Sequence, residues 1–84
     1  MHTTAALEFP AEVLASTQLS AERLAVRAVL ETALALYRDG QLSSGIAARW
    51  VGESRVSFLI RASAAGIPLL DDSVDDFQRE RGIL

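Results

Sequence analysis

Residues 43–68 read SSGIAARWVGESRVSFLIRASAAGIP, and the rest of the chain is best understood in relation to them. It predicts two short apolar helices joined by a tight turn at residues 52–54, an arrangement typical of a helix-turn-helix. Ser43 and Ser54 stand where the two helices begin, and a serine hydroxyl there accepts hydrogen bonds from backbone N–H groups of the first turn. Gly52 stands where the first helix must end, because glycine adopts a positive φ without steric cost. The closing Gly-Ile-Pro ends the second helix.

Composition limits what kind of protein this chain can be. The 84 residues suffice for one small domain, and half of them are hydrophobic. That is a generous apolar share for a small domain, so an oligomer is expected to cover the excess. Without cysteine there are no disulfides and no thiolate metal sites. No signal peptide or membrane-spanning run is recognisable, so we expect a soluble, cytoplasmic protein.

The net charge of −3 is distributed unevenly along the chain. Residues 1–40 carry −2, residues 41–68 carry +2 and residues 69–84 carry −3. Only the predicted helix-turn-helix is therefore basic, which hints at contact with phosphates. The field of +2 is weak beside that of a dedicated nucleic-acid binder.

The segment before the helix-turn-helix predicts a short strand and a long helix. Leu7 and Phe9 alternate with a glutamate before a proline, which favours a β-strand that pairs with a second copy or packs on the helices. Ser20 offers a cap for a helix over residues 21–38, apolar on so much of its circumference that a second subunit is expected to cover one side. The residues predicted at a homodimer interface are Leu7, Phe9, Val26, Leu30 and Leu34.

The segment after the helix-turn-helix is acidic, and a short helix is expected from Val74 to about Arg81. Its aspartates at residues 71, 72, 75 and 76 could hold Mg²⁺, but acids near a helix start also favour the positive end of the helix dipole. The single histidine, His2, lies in the terminus, and no serine has a histidine base in a visible pattern. We therefore expect no enzyme activity, no cofactor and no metal. Trp50 is expected in the core, and Tyr37 is expected to pack with its hydroxyl at the rim.

Four segments in a fixed order carry a resemblance to a known family. They are LEFP at residues 7–10, ALALYRDG at 33–40, LSSGIAARWVGESRVSFL at 42–59 and AAGIPLLDDSVDDF at 64–77. With these segments the chain resembles small prokaryotic proteins regarded as VapB-like antitoxins, which accompany PIN-domain-type ribonuclease toxins. Ile46 departs from the pattern, where a basic residue is expected. Glu53 also departs, because an apolar residue in the turn would help to pack the two helices.

The resemblance implies two activities, neutralisation of a partner toxin and binding to operator DNA. For DNA the best candidates lie at the start of the second helix, where Arg55 and Ser57 would meet bases and Arg49 and Arg61 would meet phosphates. The residues predicted to bind DNA are Arg49, Ser54, Arg55, Ser57 and Arg61. The alternative remains open that these arginines only solubilise the domain, because the outer face of the helix is poor in base-reading side chains.

Toxin binding is assigned to the C-terminal segment, whose apolar residues would anchor in a partner groove. Its two arginines would enter the carboxylate cluster of the nuclease. The predicted toxin-binding residues are Leu69, Leu70, Val74, Phe77, Arg79 and Arg81. The alternative is that this tail folds back on its own domain.

The sequence therefore predicts a mostly α fold with a short N-terminal β-strand, a long helix, a helix-turn-helix and a short C-terminal helix or tail. Residues 1–68 would form the dimerisation and DNA-binding domain, and residues 69–84 the partner-binding segment. The predicted function is that of an antitoxin. The alternatives are a stand-alone helix-turn-helix transcription regulator and an adaptor that binds protein only.

Overall fold

The computed structural model describes residues 3–69, and this part of the chain is mostly helical, as predicted. Four helices follow one another: α1 (Ala11–Thr17), α2 (Ala21–Arg38), α3 (Ser44–Val51) and α4 (Arg55–Ala64). The bounds of α2 are those predicted, and α3 and α4 form the expected pair of short helices. None of these helices is long and apolar enough to cross a membrane.

The predicted N-terminal strand is not supported. Residues 3–10 contain neither helix nor strand, and no strand occurs anywhere else in residues 3–69. The alternation of Leu7, Glu8 and Phe9 satisfies the local pattern of a strand, but a strand also needs a hydrogen-bonded neighbour. Because the described chain offers no such neighbour, the local pattern alone does not produce a strand.

Three of the four helices begin at a serine that caps them. The hydroxyl oxygens of Ser20, Ser43 and Ser54 each accept a hydrogen bond from the backbone N–H three residues later, at N···O distances of 3.1–3.2 Å. Each bond satisfies one of the N–H groups that a helix leaves without a partner in its first turn. The caps predicted at these three serines are confirmed.

Gly52 ends α3 with a φ of 79°, as predicted for the turn. Its N–H donates to the carbonyl of Arg49 at 3.2 Å, and the N–H of Glu53 donates to the carbonyl of Ala48 at 2.9 Å. These two bonds are those of a Schellman motif, which satisfies the last carbonyl groups of a helix and reverses the chain. The reversal brings α4 back against α3.

The core lies where the C-terminal half of α2 meets α3 and α4. The rings of Tyr37 and Phe58 pack edge to face, with centroids 5.6 Å apart and an interplanar angle of 80°. Small side chains on α3 let the neighbouring helices approach closely. Tyr37 is fully buried, so the prediction of a hydroxyl at the rim was wrong. The buried hydrophobic residues are Ala33, Leu34, Tyr37, Ala47, Ala48, Phe58 and Ala62.

Candidate DNA-binding and protein-binding surfaces

Arg55, the first residue of α4, links the starts of the two short helices. Its Nε donates to the hydroxyl of Ser44 at 2.8 Å, and Ser44 is the first residue of α3 and fully buried. The guanidinium of Arg55 is therefore oriented by the fold instead of extending freely from the surface. Ser44 is a positioning residue that sequence reasoning missed, because eleven positions separate it from Arg55 and no local pattern connects them.

Glu53 joins the turn to α4 through both of its carboxylate oxygens. Oε2 accepts a hydrogen bond from the hydroxyl of Ser57 at 2.9 Å, and Oε1 accepts one from Nε of Arg61 at 2.9 Å. Oε1 also lies 2.6 Å from a terminal guanidinium nitrogen of Arg61. We name these three residues the Glu53 network. The hydrogen bond from Arg61 is the main cause that lowers the pKa of Glu53, and partial burial opposes that shift.

Sequence reasoning also missed the Glu53 network, although a signal for it was present. Glu53, Ser57 and Arg61 are spaced by four, which puts all three on one face of a helix that begins at the turn. Glu53 was expected to pack poorly in the turn because it is polar. That expectation left out the hydrogen-bond partners that the fold gives it. In the structure its carboxylate is bonded on both oxygens.

The structure gathers three of the five predicted DNA-binding residues at the start of α4. These are Ser54, which caps the helix, Arg55 and Ser57. Arg61 lies one turn beyond Ser57, and Arg49 is exposed on α3. The outer face of α4 is apolar, because Val56 and Ile60 are 68% and 65% exposed. Neither of these two side chains can hydrogen-bond a base edge.

An apolar groove lies beside the N-terminal half of α2. Its volume is about 540 Å³, and the ion pair of Glu53 and Arg61 lies at its edge. Trp50 is 50% exposed there, so the prediction that it lies in the core was wrong. The described helices cover only about half of Trp50. The apolar residues that line the groove are Ala25, Val26, Val29, Leu30, Trp50 and Val51.

A second depression of about 420 Å³ shares Ala25, Val29 and Trp50 with this groove. The N-terminal segment lines it through residues 5–7, which places Leu7 beside α2 and Trp50. Leu7 itself is largely exposed. The two depressions thus form one continuous apolar surface along the N-terminal half of α2, which we name the α2 groove.

The five residues predicted at a dimer interface do not all lie on this surface. Val26 is 71% exposed, and Leu30 is half-buried in the α2 groove. Leu7 borders the groove, and Phe9 is half-buried in the N-terminal segment. Leu34 instead lies in the core of its own chain, 6% exposed, because α3 covers this part of α2. It offers almost no surface to a second subunit.

The predicted toxin-binding segment falls mostly outside the described residues. Leu69 is exposed at the end of the described chain. The other predicted toxin-binding residues, and the aspartates considered for Mg²⁺, lie beyond it. Within residues 3–69, no group of three or more acidic or histidine side chains could hold a metal ion.

Comparison with known proteins places the chain in a family. No curated protein and no solved structure matches it. One family model matches residues 1–84, the full length of the sequence, and its description is "Uncharacterised protein family (UPF0175)". The order of segments that suggests antitoxins is thus accompanied by membership of a family whose description states no activity. The chain belongs to the uncharacterised protein family UPF0175.

Proposed function

We propose that this protein acts in the cytoplasm as the antitoxin of a type II toxin-antitoxin pair. It neutralises a PIN-type ribonuclease by direct binding and regulates its own operon through the helix-turn-helix. The observation that carries the proposal is a capped helix-turn-helix at residues 43–64, followed by a segment that begins at the exposed Leu69. The compact helix-turn-helix is the part of the chain that we assign to DNA, and we assign the protein partner to the segment that follows it in the sequence.

Operator binding is supported by the start of α4. Ser54, Arg55 and Ser57 lie together there, where the helix dipole favours a phosphate. The exposed Arg49 on α3 supplies a further positive charge. We propose that α4 enters the major groove with this end first, that Arg55 and Ser57 contact bases, and that Arg49 and Arg61 contact phosphates.

Toxin binding is assigned to residues 69–84. Their apolar side chains include Leu69, Leu70, Val74 and Phe77, which suit a hydrophobic groove of a partner. Arg79 and Arg81 would reach the clustered carboxylates with which PIN-type nucleases hold their metal. Insertion of a guanidinium there would displace the metal or block the site.

Homodimerisation is the third part of the proposal. The α2 groove exposes Val26 and Trp50, and burial of such side chains in a partner contributes favourably to association. We propose that Leu7, Val26 and Leu30 contact the second copy. Leu34 stays in the core of its own chain and takes no part.

Co-expression with the neighbouring open reading frame tests the antitoxin activity. The full chain should restore growth when that reading frame is toxic, and a variant that ends at Pro68 should fail to restore growth. Arg79→Ala with Arg81→Ala should weaken rescue, whereas the matched pair Arg23→Ala with Arg27→Ala on α2 should not. Full rescue by the chain that ends at Pro68 would reject the C-terminal segment as the toxin-binding element.

The outer face of α4 favours a second candidate, a protein-only adaptor. Val56 and Ile60 are exposed there, and such an apolar pair suits a protein surface better than a base edge. A gel-shift assay with the upstream DNA separates the two candidates. An affinity that falls as salt rises supports operator binding, and no binding at low salt supports the adaptor. DNA binding without rescue would indicate a stand-alone regulator.

A further inference from the structure

We propose that Glu53 limits the operator affinity of this helix-turn-helix, because its carboxylate binds Ser57 and Arg61 and a DNA phosphate must replace that carboxylate at Arg61. This inference rests on the proposed operator binding. It assigns to one acidic residue the role of setting how tightly the operator is bound. Glu53 is a positioning residue here, since it acts through Arg61 and does not itself touch DNA.

Glu53 holds two of the candidate DNA-binding side chains in place. Both carboxylate oxygens of Glu53 are engaged, one by the hydroxyl of Ser57 and the other by Nε of Arg61. These two partners belong to the five residues predicted to bind DNA. In the protein without DNA, two of the five side chains are therefore oriented toward an internal acid.

Glu53 also lowers the positive charge of the helix-turn-helix. Glu53 is the only acid among residues 41–68, which also contain three arginines. Its charge reduces the basic field of the helix-turn-helix, and it lies against Arg61. The same contact lowers the pKa of Glu53, so the carboxylate is ionised near neutral pH.

Arg61 is more accessible to solvent than the carboxylate that it binds. The side chain of Arg61 is 46% exposed, whereas that of Glu53 is only 20% exposed. The Arg61 side chain is therefore open to an approaching phosphate at the edge of the α2 groove, whereas the carboxylate is the more buried partner. Ion pairs with this degree of exposure are weak, and a guanidinium has five N–H donors that suit phosphate oxygens. A phosphate can thus replace the carboxylate at Arg61. The lost ion pair with Glu53 reduces the binding free energy that this phosphate contact contributes.

The test compares two single variants that remove the same charge. Glu53→Gln releases Arg61, and Glu31→Gln is the control for loss of one negative charge, because Glu31 forms a more exposed ion pair with Arg27 at 3.2 Å on α2. In a gel-shift titration with the upstream DNA, Glu53→Gln should bind roughly threefold to tenfold more tightly than Glu31→Gln. Its plot of log affinity against log salt should be steeper, by up to about one unit, because Glu53 no longer offsets the charge that Arg61 brings to the phosphate.

A double-mutant cycle with Arg61→Ala identifies the route of the effect. If Glu53 acts through Arg61, Glu53→Gln should lose most of its gain in the Arg61→Ala background. Glu53→Asp provides a second variant that keeps the charge and shortens the side chain by one methylene. It should also raise affinity relative to the unmodified protein, since the shorter carboxylate cannot keep both contacts. Circular dichroism of each variant verifies that the helices are retained.

The outcomes separate this inference from the proposed function. If the unmodified protein and Glu31→Gln bind DNA and Glu53→Gln binds no more tightly than Glu31→Gln, the role of Glu53 is rejected while operator binding stands. An equal gain for Glu53→Gln in the presence and absence of Arg61 also rejects it. If none of the variants binds the upstream DNA at low salt, operator binding itself fails, and the role of Glu53 with it.

Discussion

The two halves of α2 belong to one helix but have different surroundings. The C-terminal half contributes Ala33, Leu34 and Tyr37 to the core, whereas the N-terminal half leaves Val26 mostly exposed beside Trp50. Both halves are rich in apolar residues. The burial of an apolar side chain in this protein therefore depends on which helix covers it more than on its own character.

The lengths of the helices explain this difference. With a rise of 1.5 Å per residue, the 18 residues of α2 span about 27 Å and the eight residues of α3 about 12 Å. One short helix can thus cover only about half of the long one. The α2 groove runs along the uncovered half, and the proposed second subunit would cover it.

Truncation of one aromatic side chain in the core and one in the α2 groove should give the largest difference in stability between the two regions. Phe58→Ala removes a fully buried ring that packs on Tyr37, so we expect a loss of about 3–5 kcal/mol in the free energy of unfolding. Trp50→Ala removes a half-exposed ring from the groove and should cost about 1–2 kcal/mol. Urea denaturation followed by circular dichroism measures both. Equal losses of unfolding free energy in the two variants would contradict the distinction between the core and the α2 groove.

The packing around the C-terminal half of α2 also depends on the turn at Gly52, which brings α4 back against α3. Gly52→Ala should cost about 1–2 kcal/mol, because a φ of 79° is unfavourable for any residue with a Cβ. A Cβ at this position would meet no atom within 4 Å, so the cost is conformational and not steric. Thermal unfolding measures it. Ser16→Ala on the exposed helix α1 is a matched control and should leave the melting temperature nearly unchanged.

A charge introduced into the α2 groove tests the other end of the helix. Val26→Asp should weaken self-association at least tenfold, about 1.4 kcal/mol, because a carboxylate would be buried between subunits. Sedimentation velocity over a range of concentrations measures the association. Ser16→Asp adds the same charge on α1, away from the groove, and should leave it intact. A monomeric unmodified protein would contradict the proposed dimer.

The weakest effect should be the change of stability with pH that ionisation of Glu53 in the Glu53 network causes. Because the pKa of Glu53 is lowered in the folded protein, its contribution is present above the ordinary glutamate value and is lost as pH falls through the lowered value. Exposure of the Arg61 partner keeps this contribution below about 1 kcal/mol. Unfolding of the unmodified protein and Glu53→Gln between pH 7 and pH 3 should show it. The difference in stability between the two proteins should shrink toward acid pH, and a constant difference would contradict the role of the ion pair.

The residues that sequence analysis placed well act over a few positions along the chain. Ser20, Ser43 and Ser54 bond to groups three residues away, and Gly52 ends a helix through bonds to the preceding turn. The misplaced residues depend on contacts between helices. The sequence context of these two aromatic residues does not reveal that Trp50 lies in the groove, or that the hydroxyl of the packed Tyr37 is buried with its ring.

The three longer helices, their serine caps and the turn at Gly52 can be read from the sequence, because these features follow from hydrogen bonds and backbone dihedrals within a few residues. Packing of one helix against another is what buries Leu34 in its own core, leaves Trp50 in a groove and orients Arg55 on Ser44. The Glu53 network lies between these cases, since its spacing was visible but its partners were not. The physical reason is that burial and side-chain partnership depend on how far each helix extends over its neighbour.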